Sequence, residues 1–216
     1  MGYLPGKDVR GGARDVSADG TVVVGWSDPG PVDGGLVAGS EAFRWTRETG
    51  LEGLGLLDGS DRSSARAISA DGSVIVGASP FSPNSEVFRW TEATGTIDLG
   101  DLPGGEVDGR ARGISADGSV VVGWSDLGRT VLGAPLEAFR WTQATGMVGL
   151  GSLFVDRGSV AVDTSADGSS CTSPSSLAAE SDATDAGRKP RNSHRSLSPR
   201  LACAANSGRF VLVHSS

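Results

Sequence analysis

The chain has 216 residues, of which 33 are glycine, 38% are hydrophobic and only 6% are aromatic. This length suits one or two domains with a substantial core, and no apolar run approaches the roughly eighteen residues of a membrane-spanning helix. The formal net charge of −7 disfavours nucleic acid and anionic membrane surfaces as partners, so we predict neither nucleic-acid binding nor membrane insertion.

The composition changes near Gly168. Residues 169–216 have a net charge of +3, which leaves −10 for residues 1–168, and they hold both cysteines of the chain. The sequence leaves open whether Cys171 and Cys203 pair, and an incidental role is favoured. We therefore predict one domain over residues 1–168 and a separate tail over residues 169–216.

Two short sequences recur along the predicted domain. Ser-Ala-Asp-Gly occurs at 17–20, 69–72, 115–118 and 165–168, with spacings of 52, 46 and 50 residues. Phe-Arg-Trp-Thr occurs between these sites, at 43–46, 88–91 and 139–142. Because both markers recur in step, they identify a repeat protein.

Each repeat predicts four short strands, as the second repeat illustrates. Asp71-Gly72 predicts a hairpin with a type I′ turn, and Gly95 predicts a left-handed turn residue before the fourth strand. No stretch shows a sustained 3.6-residue period, so almost no helix is expected. The predicted strands of this repeat are residues 65–69, 73–77, 86–91 and 96–100.

Four strands in a repeat of this size are typical of one β-propeller blade, whereas a coil of a β-helix is usually much shorter. In the third strand of each repeat a Phe and a Trp share one face, as Phe43 and Trp45 do, and we predict that these rings pack between blades. The predicted fold is all-β: a propeller-like array of four-stranded antiparallel blades, with about three and a half repeats in an incomplete ring and a disordered C-terminal tail.

The repeat also resembles a known family. Each Phe-Arg-Trp-Thr follows a glutamate and one further residue, and each of the first three Ser-Ala-Asp-Gly hairpins leads into a Val-rich strand that ends in Gly. This pattern resembles the HAF-type repeats, a family of bacterial extracellular repeats, although the His of its name is replaced here by Glu41, Glu86 and Glu137. The resemblance implies a secreted or surface protein with a propeller-like fold, and it implies no chemistry and no site residues. The first residues of the chain do not predict a signal peptide.

The fourth Ser-Ala-Asp-Gly is not followed by the expected Val-rich strand. Residues 169–176 show no strand pattern. One hypothesis is a change of reading frame, because codons for residues 195–199 can encode Glu-Ala-Phe-Arg in another frame. The alternative is an ordinary disordered tail rich in Ser, Arg and Pro. Both interpretations predict poor order over residues 169–216.

The repeats contain few groups suited to catalysis. No histidine precedes His194, so residues 1–168 can form neither a Ser-His-Asp triad nor a metal site of His and Cys ligands. We predict no catalytic residue, no cofactor or cofactor-binding residue and no metal ligand. A hairpin-turn role is favoured over calcium binding for the repeated aspartates Asp19, Asp71, Asp117 and Asp167.

The repeated arginines Arg44, Arg89 and Arg140 lie on the face opposite to the aromatic residues. They could line a channel and bind anionic sugars, but their presence in every repeat favours pairing with a carboxylate between blades. Loops over residues 28–40, 80–85 and 126–137 differ between repeats, and we expect any protein or carbohydrate ligand there.

Three functions remain open. The leading interpretation is a non-enzymatic extracellular or surface protein that acts as a structural or interaction scaffold. The alternatives are a carbohydrate-active propeller, hydrolase or lyase, and a fragment of a longer secreted repeat protein. Exposed Trp26 or Trp124 would favour sugar handling, and buried tryptophans would favour the scaffold. Because an incomplete ring exposes two blade faces, we also predict self-association or marginal stability.

Overall fold

The computed structural model describes residues 10–28, 39–81, 84–104, 108–127, 136–151, 158–172 and 200–202, with the backbone alone at residues 81, 84 and 200–202. These residues form fifteen strands in four antiparallel sheets, each of which we call a blade. None of them forms a helix, and so none offers an apolar helix of membrane-spanning length.

In each blade the strands follow one another in chain order across the sheet. Blade 1 consists of β1 (Arg10–Val16), β2 (Val23–Asp28), β3 (Glu41–Thr46) and β4 (Gly50–Gly53). Blade 2 consists of β5 (Ser64–Ile68), β6 (Val74–Phe81), β7 (Asn84–Thr91) and β8 (Gly95–Asp98). Blade 3 consists of β9 (Gly109–Ile114), β10 (Val120–Asp126), β11 (Leu136–Thr142) and β12 (Gly146–Gly149). Blade 4 consists of β13 (Asp163–Thr164), β14 (Ser170–Thr172) and β15 (Arg200–Ala202).

The blades stack face to face in chain order. Their first strands, β1, β5, β9 and β13, contact one another in series and form the inner edge of the stack. We call the face that a blade turns towards the next blade its leading face, and the opposite face its trailing face. The first two blades bury Val22, Val24 and Ala42 of the leading face together with Ala65, Ile68, Ile75 and Phe88 of the trailing face. An equivalent apolar cluster lies between blades 2 and 3.

This architecture confirms the predicted all-β, propeller-like array. The stack does not close into a ring, because blades 1 and 4 share no packed interface within the described residues. The predicted left-handed turn residue is also confirmed, since Gly95 has a φ of 65°.

The Ser-Ala-Asp-Gly hairpins are confirmed, but their predicted type I′ turn is wrong. In the first copy, Ser17 N–H donates to the Val22 carbonyl and Gly20 N–H donates to the Ser17 carbonyl, both at 2.9 Å. The turn is therefore centred on Ala18 and Asp19, inside a four-residue loop. The cause is Ser17, whose Oγ accepts a hydrogen bond from Val22 N–H at 3.0 Å and thereby stabilises the longer loop.

Successive turns are joined by backbone hydrogen bonds between blades. Ala18 N–H donates to the Ala70 carbonyl, and the series continues from Ala70 to Ala116 and from Ala116 to Ala166, each at 2.9 Å. The neighbouring glycine is needed for the same contact. A Cβ on Gly118, which has a φ of 71°, would lie 2.6 Å from Val74 of the preceding blade.

The predicted inter-blade position of the aromatic residues is confirmed for Phe88 and Phe139. Phe88 and Phe139 are fully buried within the clusters that join neighbouring blades. The tryptophans of the same strands, Trp45, Trp90 and Trp141, remain partly exposed.

The predicted absence of a strand after Gly168 is wrong. Ser170–Thr172 forms β14, and Arg200–Ala202 adds β15 to the same sheet. Cys171 occupies the position of Ile75 and Val121 and is 5% exposed, so a small sulfur-containing side chain can fill the place of a branched one. Cys171 is also disulfide-bonded, which contradicts an incidental role. Cys203 and most of the predicted tail lie outside the described residues.

Candidate functional site

The trailing face of blade 1 differs from its equivalents in blades 2 and 3. Val16 is 49% exposed, whereas the equivalent Ile68 is 6% exposed and Ile114 is 9% exposed. Val23 is also partly exposed, whereas the equivalent Val121 is fully buried. Among the apolar residues that join one blade to the preceding blade, Val16 and Val23 are thus exposed or partly exposed in blade 1, whereas Phe43 is 3% exposed and is buried like its equivalents Phe88 and Phe139.

The turn at this face shows the same difference. A Cβ on Gly118 or Gly168 would meet a valine of the preceding blade, but a Cβ on Gly20 would have no atom within 4 Å. Among the described residues, Ala18 stands at the end of the inter-blade hydrogen-bond series. Blade 1 therefore presents the backbone and side chains of an inter-blade contact without a neighbouring blade in the described structure.

The repeated aspartates have the turn role that the sequence favours. The Asp71 carboxylate accepts hydrogen bonds from Ser69 Oγ at 2.6 Å, from Ser73 N–H at 3.0 Å and from Ser73 Oγ at 2.8 Å. These hydrogen bonds lower the pKa of Asp71, and the one from Ser69 has the largest effect. The equivalent bonds lower the pKa of Asp117 and Asp167 to about 2. Much of the acceptor capacity of these carboxylates is thus used inside the turn.

Within the described residues, the repeated arginines do not form the predicted pairs between blades. Arg44 lies 3.6 Å from Glu52, which belongs to the same blade, and its guanidinium lies 6.0 Å from the Trp90 ring of the next blade. Arg89 and Arg140 lie opposite Ile97 and Val148, as Arg44 lies opposite Glu52. All three belong to third strands, away from the inner edge, so they do not line a central channel.

Glutamates before the Phe-Arg-Trp-Thr marker stabilise a loop in two of the blades. In blade 1 the Glu41 carboxylate accepts a hydrogen bond from Gly55 N–H at 3.0 Å, directly over Gly53, where a Cβ would not fit. Blade 3 repeats the arrangement, with 2.6 Å between Glu137 and Gly151.

Blade 2 departs from this arrangement. Asp98 occupies the position of Gly53, and its own carboxylate accepts the hydrogen bond from Gly100 N–H at 3.0 Å. Glu86 makes no such bond to the described part of the loop. Burial and the negative charge of Asp98 raise the pKa of Glu86. This is a break in the symmetry of the repeats, which is a feature expected of a functional site.

Two further carboxylates lie beside this position. The pKa of Asp101 is raised to about 6. Burial is the main cause, and the negative charges of Asp98, Glu86 and Asp108 add to it. Its Oδ1 is buried and accepts no hydrogen bond within the described residues. A carboxyl group with this pKa is partly protonated near neutral pH and can therefore donate a proton. No three of the described His, Cys, Asp and Glu residues are arranged so that they could hold a metal ion.

The two tryptophans that bear on sugar binding differ from each other. Trp124 is 8% exposed and lies under the Arg110 guanidinium, 5.6 Å from its ring centre, which favours a structural role. Trp26 is partly exposed. Most of the variable loops, where a ligand was predicted, lie outside the described residues: 29–38, 82–83 and 128–135.

The sequence analysis missed the charged residues of the inner edge. Arg14, Arg66 and Arg112 belong to the first strands of blades 1, 2 and 3. Each follows an alanine and stands three residues before a Ser-Ala-Asp-Gly sequence. This regular Ala-Arg spacing was the signal that could have identified them.

Four antiparallel sheets stacked in chain order define the chain as a protein of the β-propeller type. In agreement, it is similar to the crystal structure of TolB from Acinetobacter baumannii, with a TM-score of 0.51 and 15% sequence identity. The match covers 76% of this chain and 37% of the TolB chain, so this chain spans little more than a third of that length. No family model and no curated protein matches the sequence. The likeness to TolB bears on the fold alone.

Proposed function

We propose that the chain is a non-enzymatic interaction scaffold whose docking surface is the trailing face of blade 1. The observation that carries the proposal is the exposure of Val16, 49%, where Ile68 and Ile114 are at most 9% exposed. Burying one such side chain contributes about 1.5–3 kcal/mol, so covering this face would be favourable.

The partner that we propose for this face is a second copy of the chain. Head-to-tail stacking is disfavoured, because the leading face of blade 4 carries Ser170 and Thr172 where blade 3 carries Val120 and Val122. An apolar trailing face would lose its contacts against these hydroxyl groups. Two trailing faces of blade 1 can instead pair symmetrically, which gives a closed dimer rather than a filament.

Sedimentation equilibrium of the full chain over a wide concentration range tests the proposal. We expect a reversible monomer–dimer equilibrium for the natural sequence and a monomer for Val16→Lys. The matched control is Val148→Lys, because Val148 is 47% exposed but lies on β12 in blade 3. It should dimerise like the natural sequence.

A monomer at every concentration, or equal dimerisation of Val16→Lys and the natural sequence, would overturn the proposal. Far-UV circular dichroism of both variants shows whether they keep the strand content of the natural chain. A higher oligomer that grows with concentration would contradict the symmetric pairing.

A second candidate function is acid–base catalysis on a carbohydrate. The observation that favours it is the raised pKa of Asp101, about 6, beside Glu86, Asp98 and Asp108. A carboxylic acid of this kind can protonate a glycosidic oxygen, and a nearby carboxylate can act as base or nucleophile. Release of reducing sugars from a panel of polysaccharides, lost in Asp101→Asn, would support it; no release from any of them would exclude it.

The extracellular or cell-surface location is part of the proposal. Its support is the resemblance of the repeats to HAF-type repeats of bacterial extracellular proteins. Detection of the chain in washed cells and culture medium by immunoblotting tests it. The fragment interpretation stays a prediction, which sequencing of the flanking DNA tests.

A further inference from the structure

Three arginines of the inner edge occupy the same irregularity of their strands. In the pairing of β1 with β2, Ala13 and Asp15 lie opposite consecutive residues, so Arg14 is an extra residue without a partner. β5 has the same β-bulge at Arg66, and β9 has it at Arg112. Bulges redirect side chains and are frequent beside functional sites. Here the same bulge presents an arginine from each of three neighbouring blades.

These side chains form one group of positive charge. Arg66 lies between its equivalents in the neighbouring blades. The pKa of Arg66 is lowered, mainly by burial and then by the positive charges of Arg14, Arg112 and Arg110. Arg89 provides a contrast, since burial alone lowers its pKa. The four arginines that interact in this way are Arg14, Arg66, Arg110 and Arg112, and we call them the arginine cluster.

The cluster is accessible and has few counter-charges. Arg14 and Arg112 are exposed, and Arg66 and Arg110 are half-buried. The ion pairs within the described residues involve other arginines, Arg44 and Arg62. Asp108 interacts electrostatically with Arg110, and Asp15 accepts the N–H groups of Val16 and Ile68. Like charges held together with few carboxylate partners destabilise a fold, so stability alone does not explain the cluster.

From this arrangement we infer that the arginine cluster is a binding site for a compact anion with several charged groups. Guanidinium groups bind carboxylate and phosphate oxygens through paired N–H donors, and three blades supply donors to one place. A small tricarboxylate and a short polyphosphate share this chemistry. A long polyanion is disfavoured, because residues 1–168 carry a net charge of −10 around the cluster.

Isothermal titration calorimetry of the full chain with citrate and with inorganic tripolyphosphate tests the site. We expect binding of one or both at low ionic strength, weakened by added sodium chloride. Arg66→Gln should raise the dissociation constant at least about tenfold, because it removes charged hydrogen bonds from the centre of the cluster. Arg14→Gln is a second variant at an exposed position, and Arg89→Gln is the matched control outside the cluster.

Thermal unfolding without added anion separates a binding role from a structural one. Arg66→Gln should raise Tm at low ionic strength, because it relieves repulsion, and the gain should shrink as salt is added. If Arg66 had a purely structural role, its replacement would lower Tm instead. Which anion binds identifies the ligand chemistry as carboxylate or phosphate.

The inference is overturned if the natural chain binds neither anion at low ionic strength. It is also overturned if Arg66→Gln and Arg14→Gln bind as the natural chain does, or if Arg89→Gln loses as much affinity as they do. Because Arg14 is exposed, its variant keeps the test valid should Arg66→Gln fail to fold. The test does not involve Val16, so it is independent of the proposed dimer.

Discussion

The trailing faces of blades 1 and 2 are built alike, yet several positions that are buried in blade 2 are exposed in blade 1. Ala65 and Ile75 of blade 2 are fully buried, whereas Ala13 and Val23 at the same positions of blade 1 are exposed or partly exposed. The hydrogen bonds within the Ser-Ala-Asp-Gly turn are the same in both blades. The internal structure of a blade is therefore independent of its neighbour, and the neighbour supplies the burial of the apolar face.

The largest expected effect is on the free energy of unfolding, when methyl groups are removed from a buried position between blades. Val121→Ala should lower the free energy of unfolding by about 2–3 kcal/mol, because it removes two buried methyl groups and leaves a cavity between blades. Val23→Ala removes the same groups from a partly exposed site, so its effect should be less than half as large. Equilibrium urea unfolding of both variants measures the difference.

Equal losses in Val121→Ala and Val23→Ala would show that something covers the trailing face of blade 1 in solution. Repeating the measurement at a concentration where the natural chain dimerises sharpens the test. Under those conditions the two losses should become more alike, since dimerisation stabilises the folded state by mass action.

The glycines of the turns give a second matched pair. Gly20 and Gly118 have φ values of 74° and 71°, so an alanine is strained at both positions. Only at Gly118 would the new Cβ also meet Val74, 2.6 Å away. Gly118→Ala should therefore lower the free energy of unfolding by about 1–3 kcal/mol more than Gly20→Ala does. This difference is the usual cost of overpacking. Thermal unfolding of the two variants in one buffer measures this difference, and equal losses would contradict the open face.

The smallest expected effect concerns the carboxylates of blade 2. Asp101 has a folded pKa of about 6 against 3.8 for an unperturbed group, so the folded chain binds more protons between these values and loses stability as pH rises. Asp101→Asn should leave stability unchanged at pH values below 3.8. Above pH 6 it should raise stability by roughly 1 kcal/mol, after allowance for solvent screening of this half-buried group.

Denaturant unfolding of Asp101→Asn across this pH range checks the prediction. A gain that is the same at every pH would show that the carboxyl group of Asp101 is not responsible. Glu41→Gln gives a comparison of opposite sign. The Glu41 carboxylate accepts a hydrogen bond from Gly55 N–H in blade 1, so this substitution should lower the free energy of unfolding.

Much of the fold could be predicted from the sequence because the markers lie at points that fix the chain. Gly20 and Gly95 permit turn geometry that other residues resist, and the Val-rich strands can only pack between sheets. The turn type was missed because it depends on the Ser17 side chain, whose hydrogen bond competes with the tighter turn. The strand after Gly168 was missed because backbone pairing from a well-formed hairpin continues into polar residues.

The site was less predictable, because it depends on strand register. Arg44 has a carboxylate partner only because Glu52 lies opposite it, and the other two repeats place Ile97 and Val148 there. The bulge at Arg66 becomes visible only when the partners of its neighbours are known. A sequence pattern shows that a residue recurs, but pairing determines which groups it meets.

The series of hydrogen bonds from alanine to alanine has a consequence for how such a chain can change in evolution. Each bond joins a backbone N–H to a backbone carbonyl, and the glycine that permits the close approach belongs to the same Ser-Ala-Asp-Gly sequence in every repeat. Duplication or loss of one whole repeat restores the same bond at the new junction, and the rest of the stack keeps its geometry. The number of blades can thus vary by recombination between repeats, while point changes within a turn remain costly.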